Sequence, residues 1–411
     1  MTSYDLEVGA VAAGGACVAR TPDGRVVFVR HTLPGERVRA EVTAETAHFL
    51  RADAVEVLTA APDRVPPPCP YARPGRCGGC DFQHVALPAQ RQLKANLVAE
   101  QLRRVAKIDV PVDVEPALGE SDGLGYRTRL SLAVDAEGRP GLHRHRSHQL
   151  EHIEECLIAA PEVAAVGAQR LRWPGARAVE VAGADGGQRV VAVTGPLREM
   201  PDVDAGAVVG GRPVRVPHGV QHEVLDRSFQ VAAGVFWQVH RGAAETLTRA
   251  VLTGLEPQPG ERVVDLYAGA GLFAAFLGAA VGPQGQVTAV EGDARAAADA
   301  ARNTADLPQV RIRTAAVDAR LVAKLGDVDL VVLDPPRAGA GLPVSRALAA
   351  LRPRRLAYVS CDPATFARDL RVFLDAGWSL ESLRAFDLFP MTEHVELVAV
   401  LTPPRAVVSA D

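Results

Sequence analysis

The chain of 411 residues carries 45 basic and 49 acidic side chains, for a formal net charge of −4, and 48% of its residues are hydrophobic. These proportions exclude a disordered chain, and a charge so close to neutral does not by itself indicate a nucleic-acid-binding protein. At about 100 to 200 residues per domain, the length predicts two to four domains. The sequence has no run of about 18 apolar residues and no signal-peptide pattern. We therefore expect a cytoplasmic protein without a membrane partner, and a monomer.

Residues 1–61 are predicted to form a small, OB-like β-barrel. Turn signals separate four β-prone runs, at Leu6–Val11, Arg25–Arg30, Arg37–Val42 and Ala52–Leu58. Barrels of this size often bind oligonucleotides on one sheet face. The arginines that could line such a face are Arg20, Arg25, Arg30, Arg37, Arg39 and Arg51. The residues alone leave RNA binding by this barrel open.

Residues 62–235 are predicted to form a central α+β domain. A proline-rich stretch at 62–70 reads as a stiff linker. Residues 88–107 have a helical period, with one apolar face made of Leu93, Leu97, Val98, Leu102 and Val105. Strands are expected at Arg129–Val134, Ala178–Val181, Arg189–Val193 and Pro213–Val216. Positive charge at 126–129 and 143–146 is either a solvated surface or a track for an RNA backbone.

Four cysteines of this central region are predicted to bind a metal. Cys69, Cys77 and Cys80 have the spacing C-x7-C-x2-C, and Cys156 is a distant fourth. In a reducing cytosol such a cluster indicates metal ligands rather than disulfides. Four thiolates suit either zinc or a [4Fe–4S] cluster, although the spacing does not match a zinc ribbon.

From residue 236 to 411 the sequence alternates between strand and helix patterns. Strands are predicted at Arg262–Tyr267, Gln286–Glu291, Val310–Val317, Val328–Leu333, Arg355–Ser360 and Val395–Leu401, with helices at Gly271–Gly278 and Ala294–Thr304. This alternation predicts a doubly wound α/β domain with a mostly parallel sheet. Ligands of such sheets bind at the carboxyl ends of the strands.

A glycine turn in this domain indicates an adenosine-containing cofactor. Gly269 and Gly271 follow the first strand, where they let the backbone approach a ligand closely. Twenty residues later Glu291 ends the second strand, and its carboxylate can accept hydrogen bonds from ribose hydroxyls. NAD and S-adenosylmethionine both satisfy this pattern.

The next two strand ends favour a methyltransferase that acts on a nucleobase. Asp318 is predicted to end the third strand, and Asp334 begins an Asp-Pro-Pro-Arg segment after the fourth. The prolines fix an extended turn that can present the carboxylate to the cleft. Cys361, after the following strand, could add to carbon 6 of a pyrimidine and so make carbon 5 nucleophilic. This reaction also needs a base for the carbon-5 proton, and Glu393, His394 and Glu396 are all candidates.

Five motifs in order closely resemble the bacterial RNA 5-methyluridine methyltransferases. The motifs are Phe236–Val239, Asp265–Gly271, Asp334–Arg337, Ser360–Pro363 and His394–Glu396. The resemblance covers nearly the whole chain, and residues 1–61 resemble the TRAM domain of the ribosomal-RNA branch. It implies a class I methyltransferase domain, ribosomal RNA as the favoured substrate with transfer RNA as the alternative, and an iron–sulfur cluster.

The same resemblance assigns roles to individual residues. It implies that Cys361 is the nucleophile and Glu396 the base, and that the cofactor and the uracil are contacted by Gln238, Tyr267, Gly269, Gly271, Leu272, Glu291, Asp318 and Asp334. Two departures concern cofactor contacts: His240 replaces an asparagine, and Leu272 replaces a residue that is often polar. An amino-methyltransferase and a non-catalytic RNA-binding iron–sulfur protein are the alternatives from other classes.

Overall fold

The N-terminal part of the protein is a five-stranded barrel, as predicted. In the structure, a computed structural model that describes residues 2–119 and 122–404, the strand order is β1-β4-β5-β3-β2. The barrel closes between the ends of this sheet, where Gly9 N donates to Val18 O at 2.8 Å and Val18 N to Ala10 O at 3.0 Å. The strands are β1 (Ser3–Glu7), β2 (Cys17–Arg20), β3 (Val26–Arg30), β4 (Arg37–Glu45) and β5 (Phe49–Thr59). Strand β2 has no counterpart among the sequence predictions.

A linker and one helix connect the barrel to the rest of the molecule. The helix, α1 (Leu87–Gln101), ends in a π-helical turn at Leu102–Ala106. Leu102 is buried as predicted, but Val105 is 36% exposed. A π turn holds more residues than an α turn and so rotates Val105 off the apolar face.

The central sheet has seven strands in the order β13-β12-β11-β10-β7-β8-β9. Its members are β7 (Arg129–Val134), β8 (Pro140–His143), β9 (Leu150–Glu151), β10 (Ala178–Gly183), β11 (Arg189–Thr194), β12 (Gly206–Val209) and β13 (Arg212–Arg215), with the short helix α2 (Pro161–Val166) packed on it. All four predicted strands of this region are present to within two residues. A hairpin of β14 (Gly219–Val224) and β15 (Arg227–Ala232) follows and packs on the C-terminal domain through Phe229 and Val231.

The C-terminal domain is built on an eight-stranded sheet in the order β18-β17-β16-β19-β20-β22-β21-β6. Its strands are β6 (Val114–Pro116), β16 (Arg262–Leu266), β17 (Gln286–Glu291), β18 (Val310–Thr314), β19 (Leu330–Leu333), β20 (Arg355–Ser360), β21 (Ser379–Asp387) and β22 (Glu396–Thr402). Strands β16 to β20 are parallel, and β22 is antiparallel to both of its neighbours. From β16 the chain adds strands in one direction, to β17 and β18, and from β19 it adds them in the other. The topological switch point therefore lies between the neighbouring strands β16 and β19.

Helices cover both faces of this sheet, as a doubly wound domain requires. They are α3 (Ala243–Leu255), α4 (Leu272–Val281), α5 (Ala294–Asn303), α6 (Ala319–Val322), α7 (Leu342–Leu351) and α8 (Pro363–Asp375). The core on one face also includes Val98, Leu102 and Ala106 from α1 and its π turn. The predicted methyltransferase domain extends to residue 411, and residues 405–411 lie outside the described residues. Within the described part of the chain, no helix has both the length and the apolar character needed to cross a membrane.

Candidate active site

The glycine turn lies at the carboxyl end of β16, at the switch point. The backbone turns sharply there, with positive φ at Tyr267 (63°) and Gly269 (54°). Glu291, at the end of β17, stabilises the turn by accepting a hydrogen bond from Gly269 N at 2.8 Å. Its other oxygen accepts from Asp293 N at 2.7 Å. A carboxylate has about four acceptor sites, so Glu291 can still receive ribose hydroxyls.

A cavity of about 1160 Å³ opens above these strand ends. Cys361 borders this cavity, and so do seven other predicted site residues of the methyltransferase domain: Gln238, Tyr267, Gly269, Leu272, Glu291, Asp334 and Glu396. A pocket for one small molecule usually measures about 300 to 1,000 Å³. This cavity is therefore large enough for a nucleoside cofactor and a base together.

Gly271 and Asp318 have other positions than the sequence suggested. Gly271, at φ 89°, comes so close to α5 that a β-carbon would lie 3.1 Å from Ala300 Cα, and it does not border the cavity. Strand β18 ends at Thr314, four residues before Asp318, and Asp318 caps α6 by accepting from Leu321 N at 2.7 Å. The preceding Val317 borders the cavity in its place.

Gln238 and Asp334 meet across the cavity floor. Gln238 Nε2 donates to Asp334 Oδ2 at 3.3 Å. Burial raises the pKa of Asp334, and the hydrogen bond from Gln238 opposes this. An amide and a carboxyl group side by side offer the donors and acceptors that the polar edge of a nucleobase needs.

Cys361 follows β20 and is half-buried, with its side chain at the cavity wall. The sulfur is not sealed in the core, which is the arrangement that covalent catalysis requires. Burial, followed by the charges of Glu396 and Asp334, raises the pKa of Cys361 to about 12, while Arg337 lowers it. The free thiol is accordingly protonated near neutral pH.

The structure separates the three candidate bases. Glu396 is 3% exposed and borders the cavity; burial and the charge of Asp334 raise its pKa well above the usual range. His394 also borders the cavity, but its Nε2 lies 3.1 Å from Arg337 Nη2. Glu393 turns away and accepts a hydrogen bond from Gly14 N of the barrel. A raised pKa makes an ionised carboxylate a stronger base, which favours Glu396.

His240, one of the two residues that depart from the family's motif, lies in the packed interior. Its ring is buried and stacks on Tyr126, with 5.0 Å between ring centroids, and its Nδ1 accepts from Gly242 N at 3.0 Å. It does not border the cavity. Leu272 does border it, as the first residue of α4.

The cavity extends as far as the four cysteines. The sequence did not predict that they and the active-site residues would share one cavity. Cys69, Cys77, Cys80 and Cys156 all border it. Burial raises the pKa values of the last three, and the neighbouring cysteines contribute to each of these shifts. Among the described residues, no three Cys, His, Asp or Glu side chains converge on the position of a single metal ion. The thiols thus share one cavity wall without forming a mononuclear site.

Two further residues of the loop that precedes Glu396, Phe389 and Thr392, received no role in the sequence analysis. Phe389, Thr392 and His394 of this loop border the cavity. The loop is held from outside the methyltransferase domain: Lys94 Nζ donates to Phe389 O at 3.0 Å, and Tyr126 Oη donates to Pro390 O at 3.1 Å. The sequence signal that could have revealed this is Lys94 itself, one of only three lysines, placed on the apolar side of a helix.

Comparison with known proteins agrees with this geometry. Three family models match: TRAM domain over residues 2–55, Methyltransferase small domain over 226–349, and tRNA (Uracil-5-)-methyltransferase over 314–403. An RNA methyltransferase of Streptomyces coelicolor is 49% identical and the match covers 97% of this chain and 93% of that protein. The 23S rRNA (uracil(1939)-C(5))-methyltransferase RlmD of Chromohalobacter salexigens is 36% identical, over 98% of this chain and 90% of its own.

One solved structure matches almost end to end. The tRNA (uracil-54, C5)-methyltransferase of Pyrococcus abyssi, in complex with S-adenosyl-L-homocysteine, has a TM-score of 0.73 at 22% identity. The match covers 97% of this chain and 99% of that one. At this identity the likeness shows the fold, from the N-terminal barrel to the class I methyltransferase domain.

Proposed function

Because the chain belongs to the RNA uracil-C5 methyltransferase family, we propose that it methylates carbon 5 of a uridine in 23S ribosomal RNA. The observation that carries the proposal is the placement of Cys361, Glu396 and Asp334 around the same cavity as the glycine turn and Glu291. A ribosomal substrate is preferred over transfer RNA because the full-length relative with that name is 36% identical, against 22% for the archaeal transfer-RNA enzyme.

We propose that the methyl donor binds in the part of the cavity beside β16 and β17. Gly269 brings the backbone close to the ligand, and Glu291 faces the place where a ribose would lie. When bound, S-adenosylmethionine supplies an electrophilic methyl group. The uracil would enter from the other side, flipped out of its RNA, because carbons 5 and 6 cannot be reached within a stack.

Cys361 begins the reaction. We propose that its proton passes to solvent as the uracil binds and that the resulting thiolate Sγ forms a bond to carbon 6. The electron pair of the 5,6 double bond then lies on carbon 5, which would accept the methyl group that S-adenosylmethionine supplies; the electrons of the broken sulfur–methyl bond would stay on the departing S-adenosylhomocysteine. Arg337 is the cation that favours the thiolate, since it lowers the pKa of Cys361.

Glu396 completes the reaction as the general base. Its carboxylate takes the proton from carbon 5, the electrons of that C–H bond restore the double bond, and the Cys361 thiolate is expelled. Its burial excludes water, so the base stays poorly solvated and strong. Asp334 and Gln238 would hold the uracil during these steps.

We further propose that the four cysteines hold a [4Fe–4S] cluster rather than zinc. The proposal rests on the cysteine set itself: Cys69, Cys77, Cys80 and Cys156 border the same cavity, and these four thiolates would hold the cluster there. Iron and sulfide analysis of anaerobically purified protein, with Cys77→Ser as the comparison, tests it: about four irons per wild-type chain are expected.

The function is tested by incubating the protein with methyl-labelled S-adenosylmethionine and bacterial 23S ribosomal RNA, then analysing the nucleosides by mass spectrometry. We expect label in 5-methyluridine with the wild type and none with Cys361→Ala. Label on an amino group of adenosine or cytidine that survives Cys361→Ala would identify an amino-methyltransferase. Failure to bind S-adenosylmethionine would identify a non-catalytic RNA-binding protein.

A further inference from the structure

The outer face of the barrel carries an aromatic and arginine platform. Phe28 on β3 is paired in register with Arg51 on β5, and Phe49 lies on the same face two residues before Arg51. The two rings pack edge to face with centroids 5.3 Å apart, and the Arg51 guanidinium lies 5.1 Å from the centroid of Phe49. All three side chains are half-exposed. Such a platform is the means by which small barrels stack the bases of single-stranded nucleic acids.

A loop of the central domain brings a second arginine to this platform. The loop spans residues 143–148, and its exposed Arg146 lies close enough to Arg51 to lower the pKa of that side chain, after the larger effect of burial. Within residues 2–119 and 122–404, neither Arg51 nor Arg146 forms an ion pair with a carboxylate. The nearby Arg144, by contrast, lies 3.2 Å from Glu151. Two guanidinium groups without a carboxylate partner, one from each domain, offer donors that can bind a phosphate.

The loop also leads from the platform to the active-site cavity. A surface pocket of about 520 Å³ is lined only by residues 143–148 and Gly78, none of them acidic. Gly78 borders the active-site cavity as well, so the two spaces adjoin. The loop is fixed there, since Gly78 N donates to His143 O at 3.0 Å and a β-carbon on Gly78 would lie 2.7 Å from His145 Cα.

We propose that Arg51 and Arg146 bind a backbone phosphate of the single-stranded RNA that flanks the target uridine, while Phe49 and Phe28 stack a neighbouring base. The strand would pass over the pocket of the 143–148 loop and Gly78 before its uridine enters the cavity. This inference rests on the proposed function, and it adds a site at which the barrel and the central domain together bind the RNA substrate. Phosphate contacts fix the register of the strand, and stacking on a phenylalanine tolerates any base.

The test measures the affinity of the full-length protein for a fluorescein-labelled, single-stranded oligouridylate as a function of salt concentration. Each phosphate contact contributes a slope of about −0.7 to log K against log[salt] for a single strand. The double variant Arg51→Gln/Arg146→Gln loses one phosphate contact and should therefore have a slope shallower by about 0.7, which corresponds to roughly fivefold weaker binding at about 0.1 M salt. Phe49→Leu should weaken binding about fivefold or more at every salt concentration without a change of slope.

Two controls separate this effect from a general loss of charge or of folding. Arg39→Gln removes a barrel arginine that is already paired, at 3.0 Å from Asp5 and 2.6 Å from Glu56, and it should leave the slope unchanged. The double variant Arg51→Lys/Arg146→Lys keeps both positive charges and should have the wild-type slope.

Methyl transfer by the double variant on ribosomal RNA should have a raised KM and an unchanged kcat, because no catalytic group is altered. A wild-type protein that transfers no methyl group would refute the proposed function while leaving the binding result valid. An unchanged slope in the double variant, or no binding of oligouridylate by the wild type, would overturn the RNA site.

Discussion

Replacing Glu396 with glutamine should activate the cysteine and at the same time stop turnover. Burial is the largest cause of the shift of the Cys361 pKa from 9.0 to about 12, and Glu396 comes second. Loss of the Glu396 charge should therefore lower the Cys361 pKa from about 12. Each unit by which this pKa falls corresponds to about 1.4 kcal/mol, or a tenfold larger thiolate fraction at a given pH.

The assay is alkylation of the free protein by iodoacetamide, followed by peptide mass spectrometry so that the Cys361 signal is separate from the other cysteines. Between about pH 8 and pH 10 the rate should rise roughly 100-fold in the wild type, whereas a thiol of pKa 9.0 would gain only about tenfold. Glu396→Gln should react faster than the wild type at pH 8, because the Cys361 pKa is lower without this carboxylate. An equal or slower rate would refute the idea that this carboxylate faces the sulfur.

Turnover of the same variant should move in the opposite direction. Glutamine cannot accept the carbon-5 proton, and loss of a positioned base commonly costs a factor of about 10² to 10⁴. The methylated uracil should then remain attached to Cys361, and an RNA–protein complex that survives denaturing electrophoresis should accumulate. Because burial raises the pKa of Glu396, methyl transfer by the wild type should fall as the pH drops and this carboxyl group becomes protonated.

Three further substitutions test the supporting structure. Lys94→Met removes the lysine that lies 2.5 Å from the fully buried Asp387, leaves this carboxylate with Arg91 at 3.6 Å, and should lower the free energy of unfolding by about 3 kcal/mol; Lys94→Met/Asp387→Leu should recover most of this in denaturant titrations. Gly271→Ala places a methyl group against Ala300 at a positive φ and should cost about 1 to 3 kcal/mol, seen as a lower Tm. Arg337→Gln removes the cation that lowers the pKa of Cys361 and should slow alkylation of this thiol while leaving the Tm nearly unchanged.

The sequence was most informative where a residue's role depends on local geometry. A residue that directly follows a parallel strand lies at the carboxyl edge of the sheet whatever the rest of the chain does, so Glu291, Asp334 and Cys361 could be placed together from strand patterns alone. The choice among three neighbouring bases could not be made in this way. It depends on which side chain a turn directs into the cavity, and Glu393 is instead bound to the barrel by Gly14.

Predictions failed where tertiary contacts decide the outcome. Asp318 was assigned to a strand end, but β18 ends at Thr314 and the aspartate caps a helix that no periodicity revealed. Strand β6 pairs with β21 across more than 250 residues of chain, and its three residues carry no pattern of their own. The junction of the cysteines with the active-site cavity likewise arises from packing between domains. The domain limits at residues 61 and 235 remain predictions.

The central claim, a bond between Cys361 and carbon 6 of uracil, is tested most directly with RNA in which uridine is replaced by 5-fluorouridine. Fluorine at carbon 5 cannot be removed as a proton, so the reaction should stop after methyl transfer with the enzyme still attached. We expect a denaturation-resistant complex that requires S-adenosylmethionine, and a nucleotide on the proteolytic peptide that contains Cys361. A wild-type protein that methylates uridine but yields no such complex, or one attached through a different residue, would contradict this mechanism.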